Sequence, residues 1–98
     1  MNLLYVYILR CSDDSYYVGV SNDPDRRVIE HNISLDRSSY TFTRRPVKCV
    51  FVSEPMVPSD AIEFEKQVKG WTRKKKEALI NDQWELLPEL SKSYSKKK

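Results

Sequence analysis

A chain of 98 residues with 40% hydrophobic and 32% charged side chains has room for one domain with a modest core, and no apolar run approaches the ~20 residues needed to span a bilayer. The net charge of +3 is unevenly spread: residues 1–40 carry four Lys/Arg against six Asp/Glu, and residues 41–98 thirteen against eight. One histidine and two cysteines nearly exclude a His/Cys zinc cluster, while Cys11 and Cys49 read as buried free thiols and no signal-peptide pattern surrounds Leu3–Leu9, which points to a reducing, cytoplasmic setting with no membrane partner.

Leu3 to Cys11, dense in aromatic and β-branched residues, reads as a first strand. Ser12 to Ser15 (SDDS) is a turn and Tyr16 to Val20 a second strand, so the two form a hairpin. SNDPDRR then opens a helix, with Asp23 as its cap and Pro24 at the first helical position. That helix runs to about Ile33, with Val28, Ile29 and Ile33 as its core side. Ile33 to Pro46 is a polar, hydroxyl-rich loop that ends in Arg44 and Arg45, and Val47 to Ser53 is a third strand, broken by Pro55 and Pro58. Ser59 or Asp60 caps a second helix, in which Ala61, Phe64, Val68 and Trp71 recur at helical spacing and which Gly70 ends. Thr72 to Ile80 is a third helix. NDQWELLPEL closes the fold, with Trp84 and Leu86 packing back onto the core. Residues 1–90 are thus one domain, and SKSYSKKK, residues 91–98, is a basic tail expected to be disordered. The order β-β-α-β-α-α implies an α+β fold: a small, three-stranded, largely antiparallel sheet flanked by helices.

Three features carry chemistry. If the hairpin turn holds an odd number of residues, Tyr7 and Tyr17 point to the same side of the sheet; an even turn separates them. Arg27 and His31 are four apart on the first helix and share a face. Such a pair can bind a phosphate and shuttle a proton, or it is a surface pair without a role. Glu65 lies on the border of the second helix's apolar face. It is either an i,i+4 partner of Lys69 or a hard oxygen ligand for a divalent metal. Lys66, Lys69, Arg73, Lys74, Lys75 and Lys76 form a dense basic cluster, readable as a solvated face or as a phosphate-docking surface.

Together, Tyr5-Val6-Tyr7, Tyr17-Val18-Gly19, Arg27, His31 and Glu65 resemble the motif set of the GIY-YIG nuclease superfamily. The chain is similar to its small stand-alone branch (UPF0213-like) over roughly residues 3–90. YILRCSDDSYYVGVSNDPDRRVIEHN carries most of the resemblance, and FEKQVKGWTRKKKEALI supports it. Position by position, Tyr7 and Tyr17 match the tyrosines of the two motif halves, and Gly19 the glycine that ends the second, where a missing Cβ admits backbone or substrate. Arg27 matches the helix arginine, His31 the His/Tyr position one turn later, Glu65 the metal-binding glutamate, and Asn81 a late asparagine. Tyr5 departs from the motif, standing where its first glycine would be, and Ile33 to Ser39 lacks the glycines expected before SSYT.

The resemblance implies a metal-dependent endonuclease that hydrolyses phosphodiester bonds in nucleic acid, DNA rather than RNA, with structure-selective or weakly sequence-specific cutting. Tyr7, Tyr17, Arg27, His31 and Glu65 would be its catalytic set, with one Mg²⁺ or Mn²⁺ on Glu65. Arg27 would clamp the phosphoryl oxygens. Tyr7 would activate the water, Tyr17 position it, and His31 relay a proton or bind phosphate. Arg44, Arg45, Lys66, Lys69, Arg73, Lys74, Lys75 and Lys76, with Tyr40, would dock the nucleic-acid backbone. The alternatives are a catalytically weak or inactive nucleic-acid-binding module, and a protein-interaction domain with no nucleic-acid role.

Overall fold

Val6, Tyr7, Ile8 and Leu9 lose all solvent exposure, on both faces of one strand, and this fixes that strand's place at the centre of the sheet. A computed structural model describes residues 2–34, 36–83 and 87. Strand β1 (Tyr5–Arg10) lies between β2 (Tyr16–Ser21) and β3 (Lys48–Val52), and both pairings are antiparallel. The hairpin register pairs Arg10 with Tyr16 and Tyr7 with Gly19. The turn therefore spans Cys11 to Ser15, an odd count, so Tyr7, Leu9, Tyr17 and Gly19 share one face. Asp14 takes a left-handed backbone (φ 70°) in this turn, a conformation Asp tolerates better than most residues. The Asp13 carboxylate accepts from the Ser15 amide at 3.0 Å and the Ser15 hydroxyl at 2.6 Å.

Helix α1 (Pro24–Ile33) is followed by a single 3₁₀ turn at Phe42–Arg44, then by α2 (Pro58–Lys69) and α3 (Arg73–Ile80). The Asp23 carboxylate caps α1 by accepting from the Arg26 amide, and the Thr72 hydroxyl caps α3 by accepting from Lys75. The capping expected of Ser59 or Asp60 is not made. The helix starts earlier, at Pro58 with Val57 in the cap position, because the fixed φ of proline already suits the first turn.

The sheet has two packed faces. On one, Val6, Ile8 and Val18 meet Ala61, Phe64 and Val68 of α2, Ala78 and Leu79 of α3, and Leu87. On the other, Tyr7, Leu9, Cys11 and Val47 pack with Tyr17, Val28 and Cys49. Both cysteines are free, Cys11 buried and Cys49 half-buried. Leu87 closes the main core; the expected packing of Trp84 and Leu86 and the tail 91–98 lie outside the described residues.

Helix α1 departs most from the sequence reading. Val28 packs as expected, but Ile29 and Ile33 are 59% and 68% exposed, whereas His31 is only 8% exposed. The helix docks through polar groups. The Asn32 side chain donates to the Val47 carbonyl at 3.1 Å and accepts from the Val47 amide at 2.7 Å, tying α1 to the start of β3. A helix that spends its buried face on Asn32 and His31 gives up apolar burial for position, as functional sites do.

Candidate active site

The hairpin sets the two phenols and α1 brings the arginine and histidine to them. Gly19 is directly opposite Tyr7, and a Cβ built on it would lie 2.5 Å from the Tyr7 hydroxyl and 2.6 Å from its Cζ. The missing side chain thus makes room for the Tyr7 ring, rather than for backbone or substrate. Tyr17, on edge strand β2, is half-buried. Its ring lies 6.4 Å from that of Tyr7, 5.0 Å from that of His31 and 5.9 Å from that of Tyr40.

His31 is held at both ring nitrogens. Nε2 is 3.5 Å from the Tyr7 hydroxyl, and Nδ1 is 2.8 Å from Thr41 Oγ1. Burial lowers the pKa of His31, and the positive charge of Arg27 lowers it further, so the ring is neutral at pH 7. The Arg27 guanidinium lies near enough to the Tyr7 phenol to lower its pKa and pairs with Glu30 at 3.1 Å. Burial pushes the Tyr7 phenol up, and Arg27 only partly offsets this. At Tyr7, desolvation outweighs the neighbouring charge. A cleft of ≈ 230 Å³ opens beside these groups, lined by Arg27, Glu30, His31, Ser34, Asp36 and Ser39.

Glu65 comes from the other face of the sheet. Helix α2 packs on β1 and the edge strand β2. There the Glu65 side chain, 15% exposed, accepts from Lys69 Nζ at 2.9 Å. That bond raises the Lys69 pKa. The local reading of Glu65 as an i,i+4 partner is thus realised. Glu65 would offer a hard cation a carboxylate oxygen, and no group of three His, Cys, Asp or Glu side chains is clustered among the described residues. A partly buried carboxylate already charge-matched by an ammonium fits a cation that keeps most of its waters.

The basic residues divide sharply. Arg45 donates to the carbonyls of Phe42 (2.8 Å), Asn32 (3.3 Å) and Ser34 (2.9 Å), closing the C-terminal end of α1. Arg44 bonds Asp13 (3.0 Å) and the Tyr40 carbonyl (2.8 Å) and stacks on the Tyr40 ring. Arg73 bonds Glu77 (3.0 Å) and the Asp14 carbonyl (2.6 Å) over the Tyr16 ring. Lys66 and Lys74 are exposed and Lys75 and Lys76 half-buried. Asn81 stands at the C-cap of α3 through its backbone amide. Thr41 was not singled out in the sequence. The only signal for it was the run of hydroxyls in Ser38-Ser39-Tyr40-Thr41, which does not say which one turns inward.

A hairpin that stacks two phenols, with a helix that carries an arginine and a histidine onto them, defines a class of catalytic domain. The family model of the GIY-YIG catalytic domain matches residues 3–78, and the chain belongs to that family. Its relatives include a UPF0213 protein of Listeria innocua, 40% identical over 81 residues (83% of this chain, 89% of the relative). A UPF0213 protein of Haloquadratum walsbyi is 41% identical over 78 residues (80% and 86%). Two solution NMR structures share the fold at 32% identity. One is a UPF0213 protein from Bacillus halodurans (TM-score 0.52, 98% of this chain and 99% of that one), the other a protein from E. faecalis (TM-score 0.58, 84% and 86%).

Proposed function

We propose that this chain is a divalent-metal-dependent endonuclease that hydrolyses phosphodiester bonds in DNA, with structure-selective or weakly sequence-specific cutting. The observation that carries the reading is the meeting of His31 and two phenols on one face of the sheet, with Arg27 on the same helix face as His31.

Tyr7 has no solvent-accessible surface and Tyr17 is half-buried, so in this reading Tyr7 does not meet the attacking water, while Tyr17 keeps the positioning role expected of it. Tyr17 is the phenol that an attacking water reaches, and it orients that water. Tyr7 works from behind, its oxygen accepting from Arg27 and aiming the guanidinium at the phosphoryl oxygens, where charge grows in the transition state. Neutral His31 accepts a hydrogen bond from the Tyr7 hydroxyl and holds the phenol in that orientation. Glu65 is the residue that would hold Mg²⁺ or Mn²⁺, which when bound supplies electrostatic stabilisation of the phosphoryl group and its leaving oxygen. Lys69 holds the Glu65 carboxylate in place until then. Lys66, Lys74, Lys75 and Lys76 supply backbone docking that carries no sequence information.

The test is cleavage of a panel of branched, nicked and single-stranded DNA with Mg²⁺ or Mn²⁺, alongside Glu65→Gln. The expected result is metal-dependent cutting by the wild type, with normal DNA binding and no cutting by Glu65→Gln. Cutting by the variant at the wild-type rate would remove the metal assignment. The Glu65–Lys69 ion pair favours one rival, a nucleic-acid-binding module without turnover. Salt-sensitive DNA binding with no cutting under any divalent ion would establish it.

A further inference from the structure

Thr41 is fully buried, and its hydroxyl faces His31 Nδ1 at 2.8 Å and Ser39 Oγ at 3.1 Å. A buried hydroxyl in such a chain has its direction set by its neighbours, and the donor and acceptor inventory decides it. Arg27 is a donor only, so it can turn toward a lone pair of the phenol oxygen but offers the phenol proton nothing. The acceptor placed for that proton is His31 Nε2, at 3.5 Å. Nε2 must then be unprotonated, and in a neutral ring the hydrogen sits on Nδ1, from which it donates to Thr41 Oγ1. The Thr41 hydroxyl in turn donates to Ser39 Oγ, which also accepts from the Thr41 amide at 3.3 Å. In the opposite tautomer, Nε2–H would donate to the phenol, and the Tyr7 proton would be buried without an acceptor among the described residues.

We propose that Thr41 is a positioning residue of this site. Its hydroxyl accepts the His31 Nδ1–H, leaves Nε2 free to accept from Tyr7, and so turns a Tyr7 lone pair toward Arg27. The effect on cutting rests on the nuclease reading above; the tautomer does not. The chain runs Arg27–Tyr7–His31–Thr41–Ser39, and Thr41 acts on the phosphate only through the three groups before it.

The chain has a single histidine, so long-range ¹⁵N NMR of the full-length protein, labelled at histidine and arginine and held near pH 8, reads its tautomer without ambiguity. The wild type is expected as Nδ1–H. Thr41→Val, close to isosteric but without the hydroxyl, should shift the ring toward Nε2–H, move the Arg27 Nε–H resonance, and lower kcat ~10–100-fold at unchanged KM. Thr41→Ser should restore all three readouts, which loss of packing alone would not explain. An Nε2–H wild type overturns the proposal, as does a Thr41→Val protein with the wild-type tautomer and kcat. A tautomer change with kcat unchanged overturns the positioning role. Should the wild type cut nothing, the nuclease reading fails by itself; the tautomer and the Arg27 resonance, both read without substrate, still decide Thr41.

Discussion

Replacing Gly19 with alanine sets two opposing effects against each other, and the structure decides between them. Alanine in a strand interior should gain about 0.5–1 kcal/mol by restricting the unfolded chain. No glycine here has positive φ, so the backbone imposes no penalty and any cost is steric. The new Cβ would sit 2.5 Å from the Tyr7 hydroxyl, about 0.9 Å short of the 3.4 Å at which ordinary contact begins, and 3.1 Å from Tyr17 Cε2. Tyr7 is fully buried and its ring has no free direction to move, so overpacking of this kind costs typically ~1–3 kcal/mol. The steric cost wins, and Gly19→Ala should be less stable by about 1–2 kcal/mol, or ~5–15 °C in Tm for a domain of this size. The same displacement carries the Tyr7 hydroxyl off His31 and Arg27, and a ~1 Å misplacement at a site costs on the order of 10²-fold in rate. Urea midpoints for Gly19→Ala in the wild-type and Tyr7→Leu backgrounds provide the check. The penalty should largely vanish when the phenol is gone, since most of the atoms that meet the Cβ are then absent. An alanine variant as stable as the wild type, or an equal penalty in both backgrounds, would refute the reasoning.

The neutral, buried His31 makes stability depend on pH. Its folded pKa lies below 6.5, so the unfolded chain takes up the proton first, and stability is full above about 6.5 and falls as pH drops below it. Urea midpoints at pH 7.5 and 5.5 should differ less in His31→Asn than in the wild type. Among the basic residues, Arg45→Lys should lower stability, because lysine cannot serve the three carbonyls that Arg45 joins, while leaving the salt dependence of DNA binding intact. Lys66, Lys74 and Lys76 replaced together by alanine should do the reverse, keeping the urea midpoint and reducing the slope of log K against log salt by ~3, about one unit for each phosphate no longer neutralised.

The chain by itself determined the element order, the apolar face of α2 and the cap of α1, because these rest on local chemistry. Apolar spacing places Ala61, Phe64 and Val68 on one side of any helix they form, and Asp23 caps wherever its neighbours turn helical. It also placed Arg27 and His31 on one helical face, since four residues span one turn. Three matters were decided only by the tertiary structure. The five-residue turn put Tyr7 and Tyr17 on the same face, and parity depends on how the hairpin closes, not on which residues it contains. The docking of α1 through Asn32 and His31 left Ile29 and Ile33 in solvent, against their hydrophobicity, because the contacts that orient the helix come from Val47 and Thr41, more than nine positions away in the chain. The depth of the β1 centre buried Tyr7 completely, and so raised its pKa against the pull of Arg27. That depth comes from strands on both flanks and packing on both faces, which no reading of Tyr5-Val6-Tyr7 alone contains.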